Sequence, residues 1–293
     1  MAAPCSIVTG GTGYVGRFIV EALLQAGHEV TVMGRRPPVE GFFSRAVAFV
    51  PLDLEPSALD RSAFAGADFL VHGAFDHEPG KYRGGEGDDP AGFRRRNLEG
   101  SLALFDAARA AGVARTAFLS SRAVYGPRPA GVRLAETDPA RPDTLYGEIK
   151  LETETRLRAI GGVSLRITGV YGPAGVGKTH KWAGLFRDYL DGKPLSPRVG
   201  TEVHGDDVAA AVRLVLEAGD VEGKIFNVSD LVVDRHDLLS IVQRLTDCPH
   251  PLPMAADKAS VNAMETERLQ SLGWRPGGAA LLEKTVRTLI FTE

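Results

Sequence analysis

Through the first two-thirds of the chain, short runs of aliphatic and β-branched residues alternate with longer stretches whose apolar positions recur every three to four residues. The runs predict strands at 5–9, 29–33, 47–50, 68–72, 116–120 and 163–168. The longer stretches predict helices near 14–26, 57–65, 94–111 and 144–159. Strand and helix in strict alternation imply an α/β chain with a doubly wound parallel sheet. Past residue 170 the rhythm loosens. Proline and glycine cluster at 172–177 and 192–200, and helices are predicted at 206–218, 234–246 and 279–290. The segment 76–92 is rich in Gly, Asp, Glu and Pro and has no period, so it reads either as a surface loop or as a lid over a site.

The turn after the first strand carries the strongest local signal. Residues 9–16 read Thr-Gly-Gly-Thr-Gly-Tyr-Val-Gly, with a strand before them and an amphipathic helix after. Gly10 suits a tight turn, Gly13 a close approach of backbone to a pyrophosphate, and Gly16 a close strand–helix contact. Tyr14 and Val15 open the helix whose free N–H groups and positive dipole end would hold that pyrophosphate. The fold expectation is therefore Rossmann-type, with a dinucleotide cofactor. The dinucleotide-binding part is assigned to 1–171 plus about 203–228. The smaller C-terminal substrate portion is assigned to 172–202 plus 229–293.

Composition narrows the class further. The 293 residues include 44% hydrophobic and 24% charged positions, ordinary for a globular chain with an ample core. A net charge of −3 argues against nucleic acid or an anionic membrane as partner. Two cysteines, Cys5 and Cys248, make no disulfide framework, and no apolar run reaches membrane length. With the first strand at residue 5, these features predict a cytoplasmic protein. The seven histidines show no metal-ligand spacing, and no metal is expected.

Tyr146 and Lys150 lie four apart on a predicted helix and so share a face. An ammonium beside a phenol stabilises the phenolate. Such a Tyr can move a proton at a carbonyl or hydroxyl carbon while a nicotinamide exchanges hydride with that carbon. Ser120 and Ser121 end a predicted strand, where ligands of parallel sheets bind.

On these residues the chain resembles the extended short-chain dehydrogenase/reductase family, which includes the NAD(P)-dependent sugar epimerases and dehydratases. The resemblance runs through 9–16, Asp53-Leu54, Val71-His72-Gly73-Ala74 and Asn97-Leu98-Glu99-Gly100. It continues through Leu119 to Gly126, Tyr146 to Lys150, Leu165-Arg166, Val170 to Pro173, Val203 to Ala209, and Leu269 with Leu272 to Pro276. It implies Ser121 as catalytic serine, Tyr146 as acid/base, Lys150 as holder of the nicotinamide ribose, and Asp53, next to Leu54, as an adenine contact. It also implies a homodimer that pairs the helices at 94–111 and 144–159. Leu102, Ala103, Ala107, Ala110 and Ala111 on one helix, and Ile149, Leu157 and Ile160 on the other, suggest a second apolar side to be covered.

Departures from the family pattern carry information too. Where NAD-using relatives place an Asp after the second strand, this chain has Gly34, then Arg35 and Arg36. Loss of a carboxylate and gain of guanidinium groups favours NADP over NAD. Gly169 and Gly200 replace an Asn and an Arg that relatives aim at a UDP-sugar. Arg122 and Ala123 replace the Asp-Glu pair of the dehydratases, which argues against water elimination. The expected function is NAD(P)-dependent oxidoreduction at a hydroxyl or carbonyl carbon of a sugar-like or small carbonyl substrate. A nucleotide-sugar 4-epimerase with tightly bound NAD is the alternative, and a non-catalytic dinucleotide sensor the second alternative.

Gly172-Pro-Ala-Gly-Val-Gly-Lys178-Thr179 fits the letters of a phosphate-binding P-loop. It continues the dehydrogenase-like Val170 to Pro173 segment, and no strand ending in Asp follows, so an NTPase is not expected. His72 is read as packed near the cofactor, His204 as orienting the strand–helix turn before Asp206 or Asp207, and Arg94-Arg95-Arg96 as a solvated helix start.

Overall fold

A computed structural model describes residues 2–77 and 85–291. Seven parallel strands form the main sheet in the order β3-β2-β1-β4-β5-β6-β9. They are β1 (Cys5–Thr9), β2 (Glu29–Gly34), β3 (Ala48–Pro51), β4 (Phe69–His72), β5 (Arg115–Ser121), β6 (Val163–Ile167) and β9 (Ile225–Val228). The six predicted strands all form; β9 had no separate signal, because its four residues match a short buried run of either kind. The order reverses between β1 and β4, and that crevice is where open α/β sheets bind ligands.

Helices α1 (Tyr14–Gln25) and α6 (Gly205–Glu217) pack together on one face, and α3 (Gly100–Ala110) and α4 (Leu145–Ala159) on the other. The predicted helix at 57–65 does not form. Two separate 3-10 turns stand there, Pro56–Ala58 and Arg61–Phe64, because Asp60 caps Ser62 N–H and restarts the chain between them. The helix predicted from 94 starts earlier, at α2 (Pro90–Arg94), with Pro90 in its first turn and Asp89 as cap. It reaches α3 through a π-helical turn, Arg95–Glu99, which aims Asn97 inward. Residues 78–84 of the aperiodic segment lie outside the described residues.

A second sheet, β10-β8-β7, is built from β7 (Gly169–Tyr171), β8 (Val199–His204) and β10 (Leu231–Asp234). With α5 (Ala183–Leu190), α7 (Arg235–Thr246) and α9 (Gly278–Phe291) it encloses its own core of Tyr171, Trp182, Tyr189, Leu239 and Val286. Trp274, just after α8 (Glu267–Ser271), instead packs into the main core, and its indole N–H donates to the Asp207 carbonyl at 2.9 Å.

Asp207 also accepts from Gly277 N–H, at the start of α9. Burial pushes its carboxyl up to about 6, against the lowering effect of that hydrogen bond. Below 3.8 the folded and unfolded chains are both protonated here, and the group costs nothing. The cost of burying its charge grows as pH rises and is complete above 6. Asp207→Asn, which keeps an acceptor, should therefore stabilise the fold by roughly 1–2 kcal/mol at about pH 8 and by almost nothing near pH 4. Thermal melts at the two pH values check this, and a lower melting temperature for the variant at the higher pH would contradict it.

Candidate functional site

The glycine turn has the geometry its sequence suggests. Gly10 takes φ +70° and abuts the backbone of Gly73 and Ala74, where a Cβ would come within 2.8 Å of Ala74 N. A Cβ on Gly16 would collide with the Gly10 carbonyl, and one on Gly13 would sit 3.0 Å from the same oxygen. Thr9 Oγ1 accepts from both Gly73 and Ala74 N–H, which ties the ends of β1 and β4 together at the crevice. Tyr14 donates to the Gly172 carbonyl at 2.6 Å, so α1 is tied to the start of the second sheet's loop. A backbone cradle that only glycine can line, at a helix N-terminus and a switch point, fits a dinucleotide pyrophosphate.

At the end of β2, the space beside Gly34 is open: a Cβ there would meet nothing nearer than Thr12 Oγ1 at 3.9 Å. Arg35 pairs with Asp76 at 3.3 Å, and Asp76 also takes Arg96 at 2.8 Å. Arg36 is exposed and has no carboxylate within ion-pair distance among the described residues. Asp53 is exposed just past β3, with its carboxylate accepting from Glu55 N–H, and Leu54 is buried with its carbonyl against Gly100.

The candidate proton-transfer residues gather at the C-terminal end of β5. Thr144 caps α4 by accepting from Gly147 N–H, and this sets Tyr146 and Lys150 one turn apart, about 6 Å along the axis. Lys150 is only 3% exposed and donates to the Leu119 carbonyl at 2.8 Å. Ser121 lies two residues further along the same strand, about 7 Å by strand rise. Its hydroxyl accepts from Ala123 N–H and starts the following 3-10 turn. The Lys150 ammonium lies 4.5 Å from the ring centres of Phe75 and Phe118 and 5.8 Å from that of Tyr146. Desolvation holds Lys150 down to about 7, with the Glu154 carboxylate opposing the shift.

Phe75 is the residue that sequence reasoning missed. Its ring meets Tyr146 edge-on at 5.0 Å and Phe93 at 5.5 Å, besides facing Lys150. The signal available was its place three residues after the last residue of β4, at the carboxyl end of that strand. Asn97 supports that loop: it accepts from Asp76 N–H at 2.6 Å and donates to the Asp76 carbonyl at 2.8 Å.

Several other readings are settled by contacts. His72 bridges Thr9 and Ser101 inside the core, and burial pushes it down to about 3, so it is neutral and structural. His204 caps α6 through Asp206 N–H. The P-loop letters do not make a P-loop, because α5 starts at Ala183, five residues past the exposed Lys178. Arg122 donates to the Asn262 carbonyl across the chain. Arg94 and Arg95 stand at the surface and pair there with Glu152 and Glu55, while Arg96 is half-buried against Asp76. Ala107, Ile149 and Leu157 are buried within the chain itself, so the second apolar face argued for α3 and α4 loses those three residues.

The fold and this arrangement define a dinucleotide-binding α/β enzyme. Residues 6–229 match the model of the NAD dependent epimerase/dehydratase family, and the chain belongs to that family. It is 28% identical over 307 residues to the UDP-glucose 4-epimerase of Corynebacterium glutamicum, covering 92% of this chain and 90% of that one. It is 33% identical over 201 residues to the dTDP-6-deoxy-L-talose 4-dehydrogenase (NAD(P)(+)) of Kitasatospora kifunensis, covering 64% and 59%. Among solved structures, the Thermus thermophilus UDP-glucose 4-epimerase in complex with NAD superposes with a TM-score of 0.75 at 27% identity, covering 98% and 97%. No helix among the described residues is long and apolar enough to cross a membrane.

Proposed function

We propose that this chain oxidises a secondary hydroxyl of a sugar-like substrate and returns the hydride to the same carbon, as a nucleotide-sugar 4-epimerase does. The gathering of Ser121, Tyr146 and Lys150 around the end of β5 carries this reading. The epimerase relatives that align over nine-tenths of the chain favour it over the net oxidoreduction expected from the sequence alone. A bound nicotinamide supplies hydride acceptance and donation. Tyr146, ionised to the phenolate, takes the hydroxyl proton and gives it back, Ser121 holds the same substrate oxygen, and Lys150, when protonated, supplies positive charge beside the phenolate. Phe75 packs against the Tyr146 ring and over the buried Lys150 ammonium.

Net oxidoreduction is kept as a second reading on one observation. A Cβ on Gly169 would lie 2.7 Å from both Glu202 Oε2 and Lys181 Nζ, two side chains that pair with each other. An ion pair thus fills the place from which relatives reach a UDP-sugar. Incubation with UDP-galactose and trace cofactor decides between the readings. Appearance of UDP-glucose with no lasting absorbance change supports epimerisation, and steady consumption of reduced cofactor with carbonyl compounds supports the second reading.

For the cofactor, the missing carboxylate at Gly34 and the two arginines after it support NADP, although the related Thermus epimerase structure holds NAD. NADPH should bind more tightly than NADH. Arg35→Ala with Arg36→Ala should narrow the gap at least about tenfold, since charge-assisted hydrogen bonds contribute about 1.5–3 kcal/mol. Fluorescence titration showing tighter NADH binding by the wild type would overturn the preference. A homodimer through α3 and α4 remains an inference from the family resemblance.

A further inference from the structure

Behind α4, a buried polar layer lies between the helix and β6. Glu154 accepts from Ser120 and from two nitrogens of Arg166, whose Nε and Nη2 lie 3.1 and 2.8 Å from its oxygens. Arg166 stacks on the Tyr125 ring at 4.7 Å, and Tyr125 donates to Asn227 Oδ1 at 2.7 Å. Arg166 is 3% exposed, yet its Nη1 has no hydrogen-bond partner among the described residues. A buried guanidinium nitrogen left unpaired is costly, and its usual remedy is a ligand or an ordered water.

Arg166 lines a cleft of about 440 Å³ bounded by α4, α8, the residues before β9 and the 136–138 loop. Three further cations line it: Arg158, Lys224 and Arg268. Its acids are already engaged. Glu154 holds Arg166, Glu136 accepts from Asn227 N–H, and Asp138 accepts from Ala135 N–H. Arg268 donates one nitrogen to the Ile225 carbonyl. Arg158 and Lys224 have no carboxylate within ion-pair distance among the described residues, although Glu222, which pairs with Arg115, is next to Gly223 of the lining. With Glu154 neutralised by Arg166, the three remaining cations outnumber the two remaining acids, Glu136 and Asp138, and the cleft carries a net excess of one positive charge.

We propose that this cleft is a second ligand site, separate from the glycine turn and from Tyr146, and that it takes a small organic phosphate monoester. The volume lies within the range of small-molecule sites. Guanidinium and ammonium groups lining one cleft suit a tetrahedral dianion. The assignment stands independently of the reaction proposed above.

The test uses the enzyme saturated with its dinucleotide, so that the pyrophosphate cradle is filled. Calorimetric titration with inorganic phosphate and with ribose 5-phosphate should show one site per chain. The sugar phosphate should bind at least about tenfold more tightly than the inorganic ion, because the cleft has room for the sugar. Arg158→Ala with Lys224→Ala should weaken both at least about tenfold, while Lys284→Ala, an exposed cation on α9, should leave them unchanged. Both substituted residues are exposed, so folding is preserved, and an unchanged melting temperature confirms this. Absence of binding at tens of millimolar, or equal binding by the double variant, overturns the site. Binding of citrate with exclusion of both phosphates overturns the ligand class.

Discussion

Tyr146→Phe is expected to lower turnover by roughly 10²-fold or more while leaving cofactor affinity unchanged. General acid/base contributions have that size. The substitution removes one oxygen and keeps the ring, so the 5.0 Å edge contact with Phe75 and the packing over Lys150 persist. The cradle at Gly10, Gly13 and Gly16 lies in the turn after β1 and the first turn of α1, not on α4, so the substitution leaves the pyrophosphate contacts untouched. Loss of turnover with intact binding would place Tyr146 in proton transfer. Turnover near that of the wild type would remove it from the mechanism, and loss of cofactor binding as well would mean that the phenol is structural.

The residues legible in the sequence are those whose physics is local. A Cβ cannot be accommodated at Gly16, and a helix must put Tyr146 and Lys150 on one face, whatever the rest of the chain does. The parallel sheet followed from buried apolar runs alternating with amphipathic ones. What was missed depends on distant partners. Phe75 acquires its place only because β4 ends beside α4, and an isolated aromatic in a loop gives no such signal. The helix expected at 57–65 fits the apolar spacing, but Asp60 capped a new turn instead, a case of local side-chain bonding outcompeting periodicity. Three of the apolar residues taken for a second face of α3 and α4 are apolar because they are core: Ala107 and Leu157 pack with Phe105 and Phe118, and Ile149 with Phe93 and Leu98, while Ala110, Ala111 and Ile160 are exposed. Gly169 stood out in the sequence as a departure from the family pattern. Its consequence, an ion pair between Lys181 and Glu202 in the vacated space, needed β7 and β8 to be seen side by side, with Gly169 opposite Glu202.

Lys150→Met is expected to abolish most turnover and, at neutral pH, to make the cofactor-free protein more stable. The ammonium is buried, with a carbonyl as hydrogen-bond acceptor and rings around it, and desolvation brings it down to about 7 from 10.5. Below pH 7 the folded and unfolded chains both carry the proton, and the whole cost of burying the charge is present. Between 7 and 10.5 the unfolded chain holds a proton that the folded chain has given up, so the cost changes with pH across that window. There the unfolded chain binds more protons, and stability rises with pH. Above 10.5 neither carries it and the cost is gone. Methionine has similar length and no charge, so its advantage is largest at or below about pH 7 and fades toward about pH 10. The Leu119 carbonyl loses its donor, which offsets about 1 kcal/mol. The net gain near pH 6.5 should be roughly 2–4 kcal/mol. That corresponds to several degrees in melting temperature, at about 2–4 °C per kcal/mol for a chain of this size. Melts at about pH 6.5 and about pH 9.5 test it, on either side of most of the titration. A variant less stable than wild type at the lower pH, or a gain that is the same at both, would show that the ammonium is not held at a cost. Lys150 would then be a structural anchor of α4 to β5 rather than a charge kept in place for the reaction.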